Sequence, residues 1–364
     1  MNKLKTIAIA ILITVTAGCA SSYKIPLTQE FKDTRQPVNF ASIVPQKEIE
    51  ARIRVSNGGV AAGAQFGLVG MMIGSAIDDV ADKKSANSKV AQVAPLREAM
   101  IDFDFNSRIH KANISSAKAF EWLNIDKTSL KNDSKAMEFE EDQYLLRFNT
   151  QYQLSIDFDS VEVTTLVTLN KIEKKDNSNR KLKAKKNHNE TTLFRNRYTY
   201  LSPSIPLKTK SQAERTEAVS KIEKWYEKEV GRLDELYTKQ REPKLKSLKW
   251  KKKEKLKAAN APYTTAERNI AMAEEWAKND AVLVKRYITD ALIDIDKMIK
   301  LDVGDTLEPK DYKKDESIEI HTKGFQLVDK NEDRVMIRSV SRYIGILCSI
   351  KKDMNAKRCV IPHQ

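Results

Sequence analysis

QYLLRFNTQYQLSIDFDSVEVTTLVTLNKI, residues 143–172, decides the fold class. Residues 143–157 and 161–172 are rich in β-branched and aromatic side chains, and the turn-like FDS at 158–160 separates them. Such runs, bounded by turn residues, read as two strands of a hairpin. A basic, Asn-rich loop leads on to TTLFRNRYTYL, 191–201, a third strand closed by Pro203 and Pro206. The expectation is an antiparallel sheet with one long, lysine-rich hairpin loop.

Upstream, VADKKSANSKVAQ (80–92) is polar and helix-friendly and runs into VAPLREAMIDFDF. Between residues 99 and 105, Met100, Asp102 and Asp104 alternate with Ile101, Phe103 and Phe105, which predicts a strand. Asp102 and Asp104 would share a face of it. That pair suits acid–base work on glycans, and it equally suits a solvent-facing strand edge.

Downstream of residue 209 the period becomes helical: Val219, Ile222, Tyr226, Val230, Leu233 and Tyr237 recur at three- and four-residue steps. Pro243 is expected to interrupt, with a basic helix over 244–259 beyond it. Thr264 or Thr265 can cap a third helix. It carries Ile270, Ala273, Trp276, Val284, Tyr287, Ala291, Ile295 and Met298 near one face and ends around Gly304. The tail returns to strand patterns at 317–322, 325–329, 334–340 and 343–350. The reading is an α+β chain: antiparallel sheet(s) with a long helical, coiled-coil-like insertion. Its divisions are an α/β region over 81–205, a helical region over 206–304 and a small C-terminal β region over 305–364.

The chain opens MNKLKTIAIAILITVTAGCASS. Lys3 and Lys5 precede an apolar stretch too short to cross a bilayer, the anatomy of a signal peptide over 1–18. The motif TAGC, residues 16–19, resembles the lipobox of bacterial lipoproteins, although Thr16 stands where that family often has Leu. The resemblance implies cleavage between Gly18 and Cys19 and a lipid on the Cys19 sulfur. Ala20 is not the Asp that typically retains such proteins at the inner membrane. The implied location is the outer membrane of a Gram-negative envelope, facing the periplasm. Residues 19–57, polar and carrying Pro26, Pro37 and Pro45, read as a lipidated tether.

GGVAAGAQFGLVGMMIG, 58–74, is glycine-studded and uncharged. On a helix Gly59, Gly63, Gly67, Gly70 and Gly74 fall on one arc of roughly 80°, a groove for close packing. The expectation is a glycine-zipper helix over 58–80. The 20 uncharged residues from Gly58 to Ile77 match a bilayer core. Membrane insertion with self-association, a packed helix in a soluble fold and a glycine-rich linker all remain open. With the lipobox, residues 1–80 resemble bacterial glycine-zipper lipoproteins, a resemblance that implies envelope location and close helix packing and no activity.

The chain holds 64 basic and 50 acidic residues, a formal charge of +14. The excess gathers in two segments: 171–186, net +6, and 241–257, net +7. On an exported lipoprotein such clusters fit anionic lipid or cell-wall polymer rather than nucleic acid, although a charge run also suits a plain solvated face. Within the second, Lys249, Trp250, Lys251, Lys252 and Lys253 are the candidate anionic-surface residues. Cys348 and Cys359 could close a short disulfide in an oxidising compartment; two reduced thiols on neighbouring strands are the alternative.

Catalytic signatures are missing. HExxH, GxSxG, GxxxxGK[ST] and strand-linked GxGxxG do not occur, and His110, His188, His321 and His363 lack metal-ligand spacing. No catalytic residue, metal or cofactor is expected. The expected function is a non-enzymatic envelope lipoprotein, a structural or binding module with a membrane, a second copy or an envelope protein as partner. Alternatives are an accessory subunit of a transport or secretion assembly and, less favoured, a periplasmic cell-wall hydrolase.

Overall fold

The structure, a computed structural model, describes residues 23–52, 89–132, 143–174, 188–233, 238–304, 324–340 and 344–360. Gly18, Cys19, the five zipper glycines, the 317–322 strand, His321 and His363 lie outside the described residues. The strands are β1 (Pro37–Ile43), β2 (Glu50–Ala51), β3 (Asn124–Lys131), β4 (Gln143–Leu154), β5 (Val161–Lys174), β6 (His188–Leu201), β7 (Phe325–Lys330), β8 (Arg334–Ser339) and β9 (Leu347–Lys351). The helices are α1 (Gln29–Thr34), α2 (Lys89–Glu98), α3 (Phe105–Lys118), α4 (Gln212–Leu233), α5 (Thr238–Asn260) and α6 (Thr265–Val303).

All nine strands join one sheet, ordered β3-β1-β4-β5-β6-β9-β8-β7 with β2 beside β4. Its long ladders, β4–β5 and β5–β6, are antiparallel, as the quoted stretch predicts. The β1–β3, β1–β4 and β6–β9 seams are parallel. Alternation sends Leu146, Phe148, Tyr152 and Leu154 of β4 to one face, where they meet Val163, Val167 and Leu169 of β5 in the core. α6 covers that face with Met272, Ala273, Trp276, Val284, Ile288, Ala291, Ile295 and Met298, all buried at helical spacing. Trp276 Nε1 donates to the Phe158 carbonyl at 2.7 Å, which satisfies the polar edge of a buried indole.

Several expectations need correction. Residues 99–104 are a turn, not a strand: Asp104 is the N-cap of α3 and accepts the Ser107 N–H at 3.0 Å. Asp104 caps better than it pairs, because its carboxylate satisfies an orphan helix donor. The Asp102–Asp104 strand face therefore does not exist. The stretch read as a tether is folded over 23–52, since β1 buries Val38, Phe40 and Ile43 in mid-sheet. The C-terminal strands are not a separate sheet; β9 extends the central one along β6. Pro243 does not interrupt but lies inside α5, where its ring forfeits one hydrogen bond. α6 itself breaks at Lys278–Ala281, with Asn279, Asp280 and Ala281 left-handed. Asn and Asp tolerate that conformation better than most residues.

A buried carboxylate at the end of α6 fastens the segment at Lys24 to strands β6 and β8 of the sheet. Asp302, its side chain fully buried, accepts from Lys24 Nζ (2.6 Å), Asn196 Nδ2 (2.6 Å), the Tyr198 hydroxyl (2.9 Å) and Arg338 (3.2 Å). Burial and the adjacent Asp302 charge raise Tyr198 well above its usual range, so it stays a donor. Beside it, Tyr23 and Lys24 both donate backbone N–H to the Ile344 carbonyl, and Ile25 bridges to Arg195.

Candidate anionic-surface arm

α4 and α5 form an antiparallel hairpin standing off the sheet. Its seam follows the heptad-like spacing of Leu245, Leu248, Lys252, Leu256 and Ala259 in α5, which are half-buried or buried while their neighbours are exposed. Lys252 lies in this seam: it is ion-paired to Glu223 and its Nζ sits 4.6 Å over the Tyr226 ring. Lys255 Nζ lies 5.0 Å over Trp225. Both cations thus spend their charge on α4.

The root is built from capping chemistry. Ser211 and Glu214 exchange hydrogen bonds at the start of α4: the Ser211 N–H reaches the carboxylate at 2.6 Å and the Glu214 N–H reaches the hydroxyl at 3.2 Å. Thr264 and Glu267 repeat the pattern at the start of α6, so the Thr264 expectation holds. The Tyr263 hydroxyl donates to Glu214 and joins the two caps. That bond, with those from Ser211, pulls Glu214 down to about 2, and the same bond lifts Tyr263 to about 12. Lys208 fastens the segment that leads from β6 into α4 to α6 by pairing with Glu275 at 2.6 Å. Lys208 and Lys278 together hold Glu275 below the usual carboxylate range.

The two helices differ in charge. α4 carries five basic and five acidic residues and pairs some along its surface, as in Lys221–Glu217 and Arg232–Glu229. α5 carries ten basic against two acidic residues. Of the five candidate residues, Lys249, Trp250, Lys251 and Lys253 are exposed as expected, Trp250 by 63%. Lys252 is the exception, because one helical step of 100° turns it into the seam. Lys246 and Lys257, which the motif missed, complete the outward stripe Lys246–Trp250–Lys253–Lys257 at steps of four, three and four. Among the described residues no ion pair neutralises these lysines.

The other candidates resolve otherwise. Cys348 and Cys359 are joined, with Cα atoms 6.0 Å apart, and pin the short 3₁₀ turn Ala356–Val360 against β9 and Leu201. His110 is buried in α3, its Nδ1 2.8 Å from the Ser42 hydroxyl; Asn113, Thr150 and Thr165 extend the chain of hydrogen bonds. Burial holds His110 below the usual histidine range. Ser42 and Thr150 are fully buried, so this network fixes α3 on β1 and β4 without meeting solvent. An apolar gap of about 10 Å³ lies under Trp122, between Phe148, Val167 and Ile299. It has room for one water but offers no polar partner for it. Among the described residues no cluster of three His, Cys, Asp or Glu could hold a metal, and no helix is long and apolar enough to cross a membrane.

Comparison with protein-family models, curated proteins and solved structures finds no match to this chain.

Proposed function

We propose that this chain is an exported envelope lipoprotein, held through lipid on Cys19 in the outer membrane with its body in the periplasm. It acts as a binding or structural module rather than an enzyme, and its α5 arm engages an anionic envelope surface, either lipid or cell-wall polymer. The observation that carries the binding role is the outward lysine stripe around Trp250, which has no part in the core. The TAGC motif supports the address, and the Cys348–Cys359 pair suits an oxidising compartment. In this reading the glycine segment 58–80 supplies a close-packing helix for a second copy or for another helix.

The test is a Cys19→Ala variant followed by lipid labelling and membrane fractionation. Wild type should be labelled and sediment with outer membrane, while the variant should be unlabelled and unprocessed. Identical behaviour of the two sinks the lipoprotein reading. The accessory-subunit alternative draws on other residues, the individually exposed apolar side chains Ile101, Val282 and Ile293. A stoichiometric protein partner, retained in a pull-down by wild type and lost in Val282→Asp, would favour it.

A further inference from the structure

We infer that the outer face of α5 docks on anionic phospholipid headgroups of the same bilayer that holds Cys19, so that the body lies along the membrane on two contacts. The inference rests on the anchored-lipoprotein reading and specifies the partner of its arm.

Charge is the first argument. Lys246, Lys249, Lys253 and Lys257 are exposed without ion-pair partners among the described residues, and they surround the exposed Trp250. Each lysine brought close to an anionic leaflet strengthens adsorption about fivefold. Indole is the side chain best suited to headgroup depth, with an apolar body and one N–H donor. The seam with α4 already uses the leucines of α5, so no apolar face is left for deep insertion. The expected contact is therefore peripheral and sensitive to salt.

Geometry is the second argument. Lys24 is fastened by Asp302, and the backbone of Tyr23 is bonded to Ile344. Three residues separate Cys19 from Tyr23, four chain steps with a reach of about 14 Å at most. A lipid on Cys19 thus holds the body close to the leaflet, where a freely swinging tether would not. From Val282 to Asp302, α6 rises about 30 Å, and each arm helix is about 33 Å long. The arm root joins α6 before its break at Lys278–Ala281, and the Lys24 clamp lies at the C-terminal end of the same helix. A second contact made by the same anchored body becomes intramolecular, so modest affinity for lipid is enough.

The test reconstitutes the full chain into phosphatidylcholine vesicles with or without about one-third phosphatidylglycerol, a fraction at which roughly fivefold per lysine is readable. Quenching by brominated acyl chains is read as the difference between wild type and Trp250→Phe. Trp250 should be quenched only with phosphatidylglycerol present and released by high salt. A Lys246→Gln/Lys253→Gln/Lys257→Gln variant should lose that quenching, with phosphatidylglycerol affinity down about 100-fold and its circular dichroism unchanged. Carbonate-resistant retention reports the anchor separately and should not depend on phosphatidylglycerol. Failed retention overturns the anchor; vesicles added to the free chain then still judge the arm by the same quenching. Equal quenching in both lipids overturns the arm's lipid docking. So does lysine-dependent binding to purified cell-wall sacculi without lipid-dependent quenching, which would assign the arm to the polymer.

Discussion

The Asp302 clamp and the α5 stripe use the same side chains to opposite ends. At Asp302 one buried carboxylate gathers the half-buried Lys24 and Arg338 with the buried Asn196 and Tyr198, and each charge meets it within about 3 Å. On α5 Lys246, Lys249, Lys251, Lys253 and Lys257 stay in water with their charge unspent, whereas Lys252 in the seam and the exposed Lys255 over Trp225 spend theirs on α4. Buried charge must be matched where it stands, because desolvation costs several kcal/mol per ion. Exposed charge can remain unmatched and act at a distance on whatever anion approaches. The first arrangement is a fastening and the second a field. Local sequence composition separates them poorly, since lysine occurs in both.

The largest effect should come from breaking the fastening. Asp302→Ala removes the buried carboxylate that Lys24, Arg338, Asn196 and Tyr198 share, and urea unfolding should show a loss of about 3–5 kcal/mol. Protease cleavage near Lys24 should appear at the same time. Asp302→Asn keeps the hydrogen-bond shape and should fall between the two. A loss under about 1 kcal/mol for the alanine variant would mean that the segment at Lys24 and the end of α6 are held elsewhere. Next in size is the C-terminal staple. Cys348 and Cys359 are 11 residues apart, and Cys348→Ser should cost about 3 kcal/mol on loop entropy, loosening β9 while leaving the arm helices intact.

Legibility followed the same division. The β4–β5–β6 meander could be read because long strands of Val, Thr, Leu and Tyr alternate without interruption. β1 and β3 could not: they are short, β3 is mostly polar, and they pair in parallel with partners more than 80 residues away in sequence. α3 hid because polar His110, Asn113 and Ser116, satisfied by β1, β4 and α6, interleave with Phe105, Ile109 and Ala117 on its buried face and break up the apolar stripe in the sequence. The Lys24–Asp302 clamp joins residues 278 apart, and no local pattern carries that information. On the arm, the lysine cluster itself was plain. Only its division into seam and outer face needed the helical phase, which Leu245, Leu248 and Leu256 do contain.

Smaller effects should fall at the arm root, where fastening and field meet. Thr264→Ala removes the hydroxyl of the α6 capping box and should cost about 1 kcal/mol. It should speed amide exchange over residues 265–268 and leave the Asp302 region unchanged.

Acid should then pull the two regions in opposite directions. Glu214, fully exposed at the root, has its folded value lowered to about 2 by Tyr263 and Ser211. A lowered carboxylate stabilises the fold above its unfolded value near 4.5, and that contribution disappears as pH falls toward about 2. Glu162, buried on β5 beside Arg52, is raised by desolvation, which outweighs the Arg52 charge. Its contribution has the opposite sign: the charged form is disfavoured in the folded state, so protonation on acidification relieves a penalty. Residue-resolved amide exchange from pH 5 downward should therefore show α4 and the start of α6 loosening first, while β5 holds. Tyr263→Phe should shift the root's loosening to higher pH, because Glu214 loses its strongest donor. If α4 and β5 open together at one pH, the root is not an independent element, and the arm is as firmly part of the body as α6.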